Sequence, residues 1–218
     1  MSEFRRRLMM AAAQGGLPII EPVLYDYLVF DGSSYIDTYL TMGSSNSYAF
    51  ICGNETLKAA QRIFMFSTAD SKNTGVIFTS STSSSNRSIG FYYGSGNLSS
   101  IILSFSSITE YKVMLTPNRL QANTNIQTHT KNTKTSTTAL TIGSTSAHSG
   151  NPYSGRMKTF YIYDSTAQNA TSYDDLVANY TPIYTLQPCT YNGEAGLWCS
   201  ELNKFYGNTS PTGTLSVI

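Results

Sequence analysis

Charged side chains are scarce in this sequence. Asp, Glu, Lys and Arg make up 12% of its 218 residues, about half the usual share. Lys and Arg number 14 against 13 acidic residues, so the formal charge is +1. A broad nucleic-acid surface needs clustered basic charge, and we therefore predict no nucleic-acid partner. The sequence also lacks an apolar run of about 18 residues, so we predict no membrane span.

Cysteine and histidine are also scarce, with three and two residues. Three cysteines (Cys52, Cys189 and Cys199) are too few for a disulfide framework, and no CxxC or HxxxH spacing offers a zinc site. A Cys189–Cys199 bridge across a hairpin is one alternative; free, buried thiols are the interpretation we favour. Only His129 and His148 could serve as bases, and neither accompanies a recognisable Ser or Cys nucleophile.

The carboxylates do not form the pattern that glycoside hydrolysis requires. That reaction needs two acids about 5–9.5 Å apart, and acids on one face of a strand would occupy alternate positions. Asp174 and Asp175 are adjacent and would point to opposite faces of a strand, while Asp31 and Asp37 lie six residues apart and are interpreted as turn and rim residues. We therefore predict that the protein is not an enzyme, with a degenerate glycoside hydrolase as the alternative.

Uncharged polar and aromatic residues take the place of the missing charges. Tyr (16) and Phe (10) are frequent; aromatics and Thr favour strands, while Ser, Asn and Gly favour turns. Alternation is visible in Tyr111-Val113-Leu115 and in Phe160-Ile162. Strand signals separated by turn signals every 8–12 residues or so are typical of an all-β sandwich or barrel. We predict strands at 24–30, 34–40, 47–53, 62–68, 75–80, 88–93, 100–106, 110–116, 124–129, 138–143, 156–164, 182–187, 195–199 and 212–217.

One short helix is predicted among these strands, over residues 172–178. Ser172 is placed to cap its first turn, and Asp174 and Asp175 lie at the positive end of its dipole. Longer helices are not expected, because runs of Ala, Glu, Lys and Leu are missing.

The first 22 residues differ in character from the rest of the chain. Three consecutive arginines precede a short apolar stretch, 8–13, which ends before Gly15-Gly16. This stretch is shorter than the roughly 7–15 residues of a signal-peptide core. We therefore interpret 1–22 as a retained docking or anchor segment and 23–218 as one domain. Docking contacts are predicted at Phe4, Arg5, Arg6, Arg7, Leu8, Met9 and Met10.

Several strings, taken in order, carry a family resemblance. They are FDGSSYIDT (30–38), GRMKTFYIYD (155–164), LVANYTPIY (176–184), GEAGLWC (193–199), NKFYGN (203–208) and TGTL (212–215). This series resembles the concanavalin A-like (laminin-G-like) jelly-roll domains of gut bacteriophages, prophages and surface proteins. The start, MSEFRRRLMMA, is similar to that of gut phage proteins carrying this domain. The chain departs from the pattern at Trp198-Cys199, where the family often has an aromatic residue followed by Asp.

The resemblance implies an all-β fold, a two-sheet antiparallel jelly-roll sandwich. It also implies a non-enzymatic structural protein of a bacteriophage virion, such as a fibre head or capsid decoration, that adheres to host-surface glycans or proteins. The expected partners are other virion proteins, bound through the N-terminal segment, and further copies of the chain, a trimer by analogy with virion fibres. The alternative is a glycan-binding lectin module on a gut bacterial surface.

Candidate ligand contacts are tyrosines beside Gly, Asn or Ser, which could stack on sugar rings. They are Tyr92, Tyr93, Tyr153 and Tyr206. We predict no cofactor. Calcium is the one alternative, with Asp31, Asp37, Asp70 and Asp164 as candidates. Calcium needs six to eight oxygens, and no acidic loop such as DxDxDG occurs. We therefore interpret these aspartates as turn caps.

Overall fold

The structure is a computed structural model. It describes residues 21–41, 45–54, 61–67, 73–80, 86–93, 96–104, 110–129, 139–145, 148 and 151–218. The predicted docking residues Phe4–Met10 lie outside the described residues, as does Asp70.

The described residues are almost entirely β. The strands are β1 (Val23–Leu24), β2 (Leu28–Asp31), β3 (Ile36–Thr41), β4 (Ser47–Asn54), β5 (Gln61–Ser67), β6 (Asn73–Ser80), β7 (Asn86–Tyr93), β8 (Gly96–Ser104), β9 (Glu110–Thr116), β10 (Arg119–Ala122), β11 (Asn125–Thr128), β12 (Ala139–Ile142), β13 (Asn151–Pro152), β14 (Ser154–Tyr163), β15 (Tyr184–Tyr191), β16 (Glu194–Cys199), β17 (Lys204–Gly207) and β18 (Leu215–Val217). A 3₁₀-helix, η1 (Ser165–Asn169), and an α-helix, α1 (Tyr173–Asn179), follow β14.

The strands form two sheets. The larger runs β11-β10-β9-β4-β14-β15-β16-β17, with β1, β2 and β18 attached beside β14 and β15. The smaller runs β3-β12-β5-β6-β7-β8, and β13 pairs in parallel with β5. The other pairings among the described strands are antiparallel. The predicted antiparallel sandwich is therefore confirmed.

Large aromatic side chains fill the space between the sheets. Phe50 and Phe160 of the larger sheet stack with ring centroids 5.1 Å apart, and Phe64 of the smaller sheet meets both edge-on. All three are fully buried. Alternation explains the arrangement, because every second residue of a strand faces the same side. In β9, Tyr111, Val113 and Leu115 are buried as the pattern predicted.

The predicted short helix is confirmed. The hydroxyl of Ser172 accepts a hydrogen bond from the backbone N–H of Asp175, as expected for an N-cap. Tyr173 and Leu176 face inward and cover a second apolar cluster with Met114 and Tyr163 on the outer face of the larger sheet. The helix therefore shields part of that face.

Other predictions needed correction. The predicted strand 24–30 is two strands, β1 and β2, which pair with different neighbours. No strand was predicted from the sequence at the positions of β10, β13 and β17. The three cysteines are free and buried; in the register Cys189 faces Gly196 and Cys199 faces Leu186, so the two do not oppose each other. Within the described residues, no helix is long and apolar enough to cross a bilayer.

Candidate functional site

A fork in the larger sheet creates the candidate site. β14 pairs with β2 through Ser154–Met157 and then with β15 through Phe160–Ile162. Lys158 and Thr159 lie between the segment of β14 that pairs with β2 and the segment that pairs with β15. Further along, β15 leaves β14 and pairs with β1 instead. Tyr25 continues this pairing, since its N–H donates to the carbonyl of Pro188 at 2.9 Å.

An open groove of about 570 Å³ occupies this fork. The side chains that line it carry both polar and apolar groups: a phenol, an amide, a hydroxyl, a carboxylate, an ammonium and two aliphatic chains. Tyr25 is 40% exposed, so its ring is accessible from solvent. The lining residues are Leu24, Tyr25, Asp26, Lys158, Thr159, Gln187 and Ile218.

The ammonium group of Lys158, which lines the groove, lies close to the side chains of Tyr27 and Glu110. Lys158 Nζ lies 4.7 Å from the ring centroid of Tyr27 and 3.8 Å from Glu110 Oε2. Arg156 lies over the same ring, with its Cζ 4.9 Å from the centroid. The hydroxyl of Tyr27 donates to Glu110. The pKa of Lys158 is raised, first by its hydrogen bond with Tyr27 and then by the nearby carboxylates of Glu110 and Asp26. Lys158 is therefore charged and already balanced by carboxylates.

An aromatic cluster adjoins the groove on the same sheet. Gln187 of the groove is the register partner of Trp198, which in turn faces Phe205. The ring of Tyr191 lies 5.6 Å from Trp198 and 5.5 Å from Phe205. All three rings are partly exposed. A partly exposed cluster of tilted aromatic rings thus adjoins the amide side of the groove.

Two of the predicted ligand tyrosines occupy core positions. Tyr153 is fully buried, and its hydroxyl donates to the backbone carbonyls of Gly53 and Arg156. Its ring is unavailable for stacking on a sugar, so this prediction is corrected. Tyr206 is only 4% exposed and faces the core. The backbones of Tyr92 and Tyr93 lie in β7, while their side chains are outside the described residues.

Two of the calcium candidates that the structure describes, Asp31 and Asp164, act within turns, whereas the prediction of a turn cap is wrong for Asp37, which lies in β3. Asp31 Oδ1 accepts from the N–H groups of Ser33 and Ser34, and Asp164 caps η1 through the N–H of Thr166. Asp37 accepts from the hydroxyl of Thr141. In the described part of the chain, no group of three or more His, Cys, Asp or Glu side chains is placed to hold a metal ion.

The two histidines lie apart from the groove residues. His148 Nε2 is 3.0 Å from Asp37 Oδ2, and its ring stacks on Tyr35 at 4.2 Å. His129 packs against Phe91 with ring centroids 4.8 Å apart, and burial lowers its pKa. The hydroxyl of Thr141 donates its hydrogen bond to Asp37, which is also the neighbour of His148, and not to the histidine itself.

The groove residues were missed by sequence reasoning, although two signals were present. Asp26 interrupts the predicted strand 24–30, and Asp is disfavoured within strands. Pro188 lies inside β15, and proline, lacking an N–H, is confined to strand positions where no ladder hydrogen bond is donated. Both residues mark the place where strand pairing changes.

Comparison with known proteins reveals similarity in shape alone. No protein-family model matches the chain, and no curated protein matches its sequence. A heptameric SAP-like pentraxin from Limulus polyphemus matches 83% of this chain and 97% of its own at 11% identity, with a TM-score of 0.50. The fold is a concanavalin A-like sandwich.

Two further structures match smaller portions of the chain. Mouse laminin alpha1 domains LG4-5 match 64% of it at 12% identity, with a TM-score of 0.45. Tailspike protein 2 of an Escherichia coli O157:H7 bacteriophage matches 68% at 16% identity, with a TM-score of 0.44. This chain spans 41% of the laminin structure and 26% of the tailspike.

Proposed function

We propose that this protein is a non-enzymatic structural component of a bacteriophage virion, and that its sandwich adheres to bacterial surface glycans through the outer groove. The observation that carries the proposal is the composition of the groove. Tyr25 offers a ring for stacking, while Gln187, Thr159 and Asp26 offer donors and acceptors for sugar hydroxyls. The ordered motifs that resemble gut phage jelly-roll domains support the virion assignment.

The form of the groove favours weak binding at each site. It is open to solvent, whereas tight small-molecule sites bury about 70–90% of their ligand. A homo-oligomer on a particle would compensate, because linked sites can raise the overall affinity by about 10²-fold or more. Multivalent adhesion therefore suits this geometry better than capture of a single free sugar.

Binding without turnover is the second part of the proposal. Glycoside hydrolysis places two carboxyl groups on opposite sides of the scissile bond. Asp26 carries the groove's one lining side-chain carboxylate among the described residues, while nearby Glu110 is occupied by Tyr27, Arg156 and Lys158. Incubation with each bound polysaccharide, followed by reducing-end analysis, should find no products. Turnover that is abolished by one Asp or Glu substitution would instead identify a hydrolase.

A glycan array probed with the domain in multivalent form tests the binding site. Tyr25→Ala and Gln187→Ala should each remove the signal of the glycans that the wild type binds. Ile126→Ala is the control, because Ile126 is another exposed large apolar residue but lies on the edge strand β11 and does not line the groove. A wild type that binds no glycan, or signals that persist in both groove variants, would contradict the proposal.

Mass spectrometry of purified phage particles tests the location. Stoichiometric peptides from this chain are expected in particles, and a variant lacking residues 1–20 should no longer be incorporated. Normal incorporation of that variant would refute anchoring by the N-terminal segment. Absence from particles, with recovery at the bacterial surface, would identify a bacterial lectin module instead.

A further inference from the structure

A second aromatic residue is exposed away from the groove, in an unusual backbone conformation. Tyr39 of β3 has φ = 59°, and 71% of its side chain is exposed. Left-handed φ is uncommon outside glycine and is an outlier for a bulky residue. Such conformations persist where the surroundings fix them, and they concentrate at functional sites.

A bulge in β3 holds Tyr39 in this position. Ala139 of β12 pairs with Thr41, and Thr141 pairs with Asp37, so three residues of β3 face one residue of β12. The buried hydroxyl of Thr38 bridges the gap: it donates to the carbonyl of Leu140 at 2.8 Å and accepts from the N–H of Leu40 at 3.2 Å. Bulges of this kind re-aim side chains, and this one directs the ring of Tyr39 into solvent.

A cation lies beside the exposed ring. Lys204 Nζ is 5.3 Å from the centroid of Tyr39 and 4.9 Å from that of Tyr206. In the described part of the chain, no carboxylate lies within salt-bridge distance of this ammonium group. This distinguishes it from Lys158 in the groove, which Glu110 already balances. Tyr206, which the sequence suggested as a ligand contact, is buried, and its ring contacts the ammonium group of Lys204 from the side of the core.

We propose that Tyr39 and Lys204 form a second binding site, for a saccharide that carries a carboxylate, such as a uronic acid. The ring of Tyr39 would stack on the apolar face of the sugar, and the ammonium of Lys204 would pair with its carboxylate. The site goes beyond the adhesion proposed for the groove, because it has its own residues and its own charge requirement.

Titration of the full chain with trigalacturonate, compared with neutral maltotriose, tests the site. Trigalacturonate should bind more tightly, and its affinity should fall as salt is raised, since exposed charge pairs are screened. Tyr39→Asn and Lys204→Gln should each weaken it by about tenfold or more. Tyr39→Phe should retain binding. Asn tolerates left-handed φ better than Tyr, so Tyr39→Asn should leave the melting temperature unchanged or higher.

Tyr25→Ala separates this site from the groove. It should leave trigalacturonate binding intact even if the groove proposal fails. Equal affinity for the two oligosaccharides, or trigalacturonate binding that survives both Tyr39→Asn and Lys204→Gln, would overturn the proposal. A Tyr39→Asn variant that unfolds would show that Tyr39 serves folding, and Lys204→Gln would then decide the matter alone.

Discussion

The N–H of Thr214 donates a 2.7 Å hydrogen bond to Oδ2 of Asp31, joining the start of the last strand to the first tight turn. Oδ1 of the same carboxylate accepts from the N–H groups of Ser33 and Ser34, each at 2.8 Å. β2 and β18 pair directly beside this contact, with Phe30 opposite Leu215. One side chain thus fixes the position where the two ends of the domain meet.

Asp31 should therefore make stability depend on pH at the acid end. Burial alone would raise its pKa, but the hydrogen bonds from Ser33, Thr214 and Ser34 outweigh burial and lower it from 3.8 to about 2. A carboxyl group with a lowered folded-state pKa stabilises the fold above its unfolded pKa and loses that effect as pH falls through the folded value. The contribution should be complete above pH 4 or so and fade towards pH 2.

Asp31→Asn tests this directly, because it keeps the shape and removes the charge. At neutral pH it should lower the free energy of unfolding by about 1–2 kcal/mol. The difference from wild type, followed by thermal melts at successive pH values, should shrink as pH falls towards 2. A difference that stays constant across this range would show that the charge of Asp31 has no role.

The contact of Phe64 with Phe50 and Phe160 in the core predicts a large cost for truncation of Phe64. Phe64→Ala should lower the free energy of unfolding by about 3–5 kcal/mol, since it removes a fully buried ring that contacts Phe50 and Phe160. Urea unfolding measures the change. Ile126→Ala is the control, because Ile126 is 48% exposed on β11 and should change stability by about 0.5 kcal/mol or less. Equal effects of the two substitutions would contradict the described core.

The cysteines should behave as three unreactive thiols. Burial raises the pKa of Cys189 to about 11 and also raises those of Cys52 and Cys199. Because the thiolate is the reactive form, a disulfide-exchange reagent at pH 8 should label the native protein slowly. In urea without reductant, all three should react. Reaction of a single thiol in urea would indicate that the other two cysteines are bridged.

Charge balance in the groove predicts its response to salt. Lys158 lies 3.8 Å from Glu110 and close enough to Asp26 to be affected by its charge. A glycan in the groove should therefore gain little from carrying a carboxylate, and its affinity should change little between low and moderate salt. Glu110→Gln should make groove binding favour acidic glycans. An array signal for the groove that falls steeply with salt in the wild type would contradict this balance.

Local patterns were sufficient to predict some elements and not others. The alternation of Tyr111, Val113 and Leu115 is a property of a single strand, and so is the cap of Ser172, which explains why β9 and α1 were predicted correctly. The groove depends on β14 exchanging β2 for β15, a pairing between distant segments that no short window contains. The exposure of Tyr39 likewise depends on the hydroxyl of Thr38 bonding across to Leu140 on another strand.

The tyrosine predictions illustrate the same limit. Tyr153 follows Asn151 and Pro152, and a polar neighbourhood of this kind suggests a surface loop. Its hydroxyl instead finds the carbonyls of Gly53 and Arg156, which satisfy its polar end and allow the ring to be buried. Sequence gives the residue type, whereas the partners that decide between core and surface come from other strands.

Mapping of the bound glycan on the protein by NMR is the most direct test of glycan adhesion through the groove. The backbone amide signals of the isotopically labelled chain would be followed while the best glycan from the array is added. The largest shifts are expected at Leu24–Asp26, Lys158, Thr159 and Gln187, and Tyr25→Ala should abolish them. Shifts confined to another surface, with these residues unmoved, would contradict the groove as the site of adhesion.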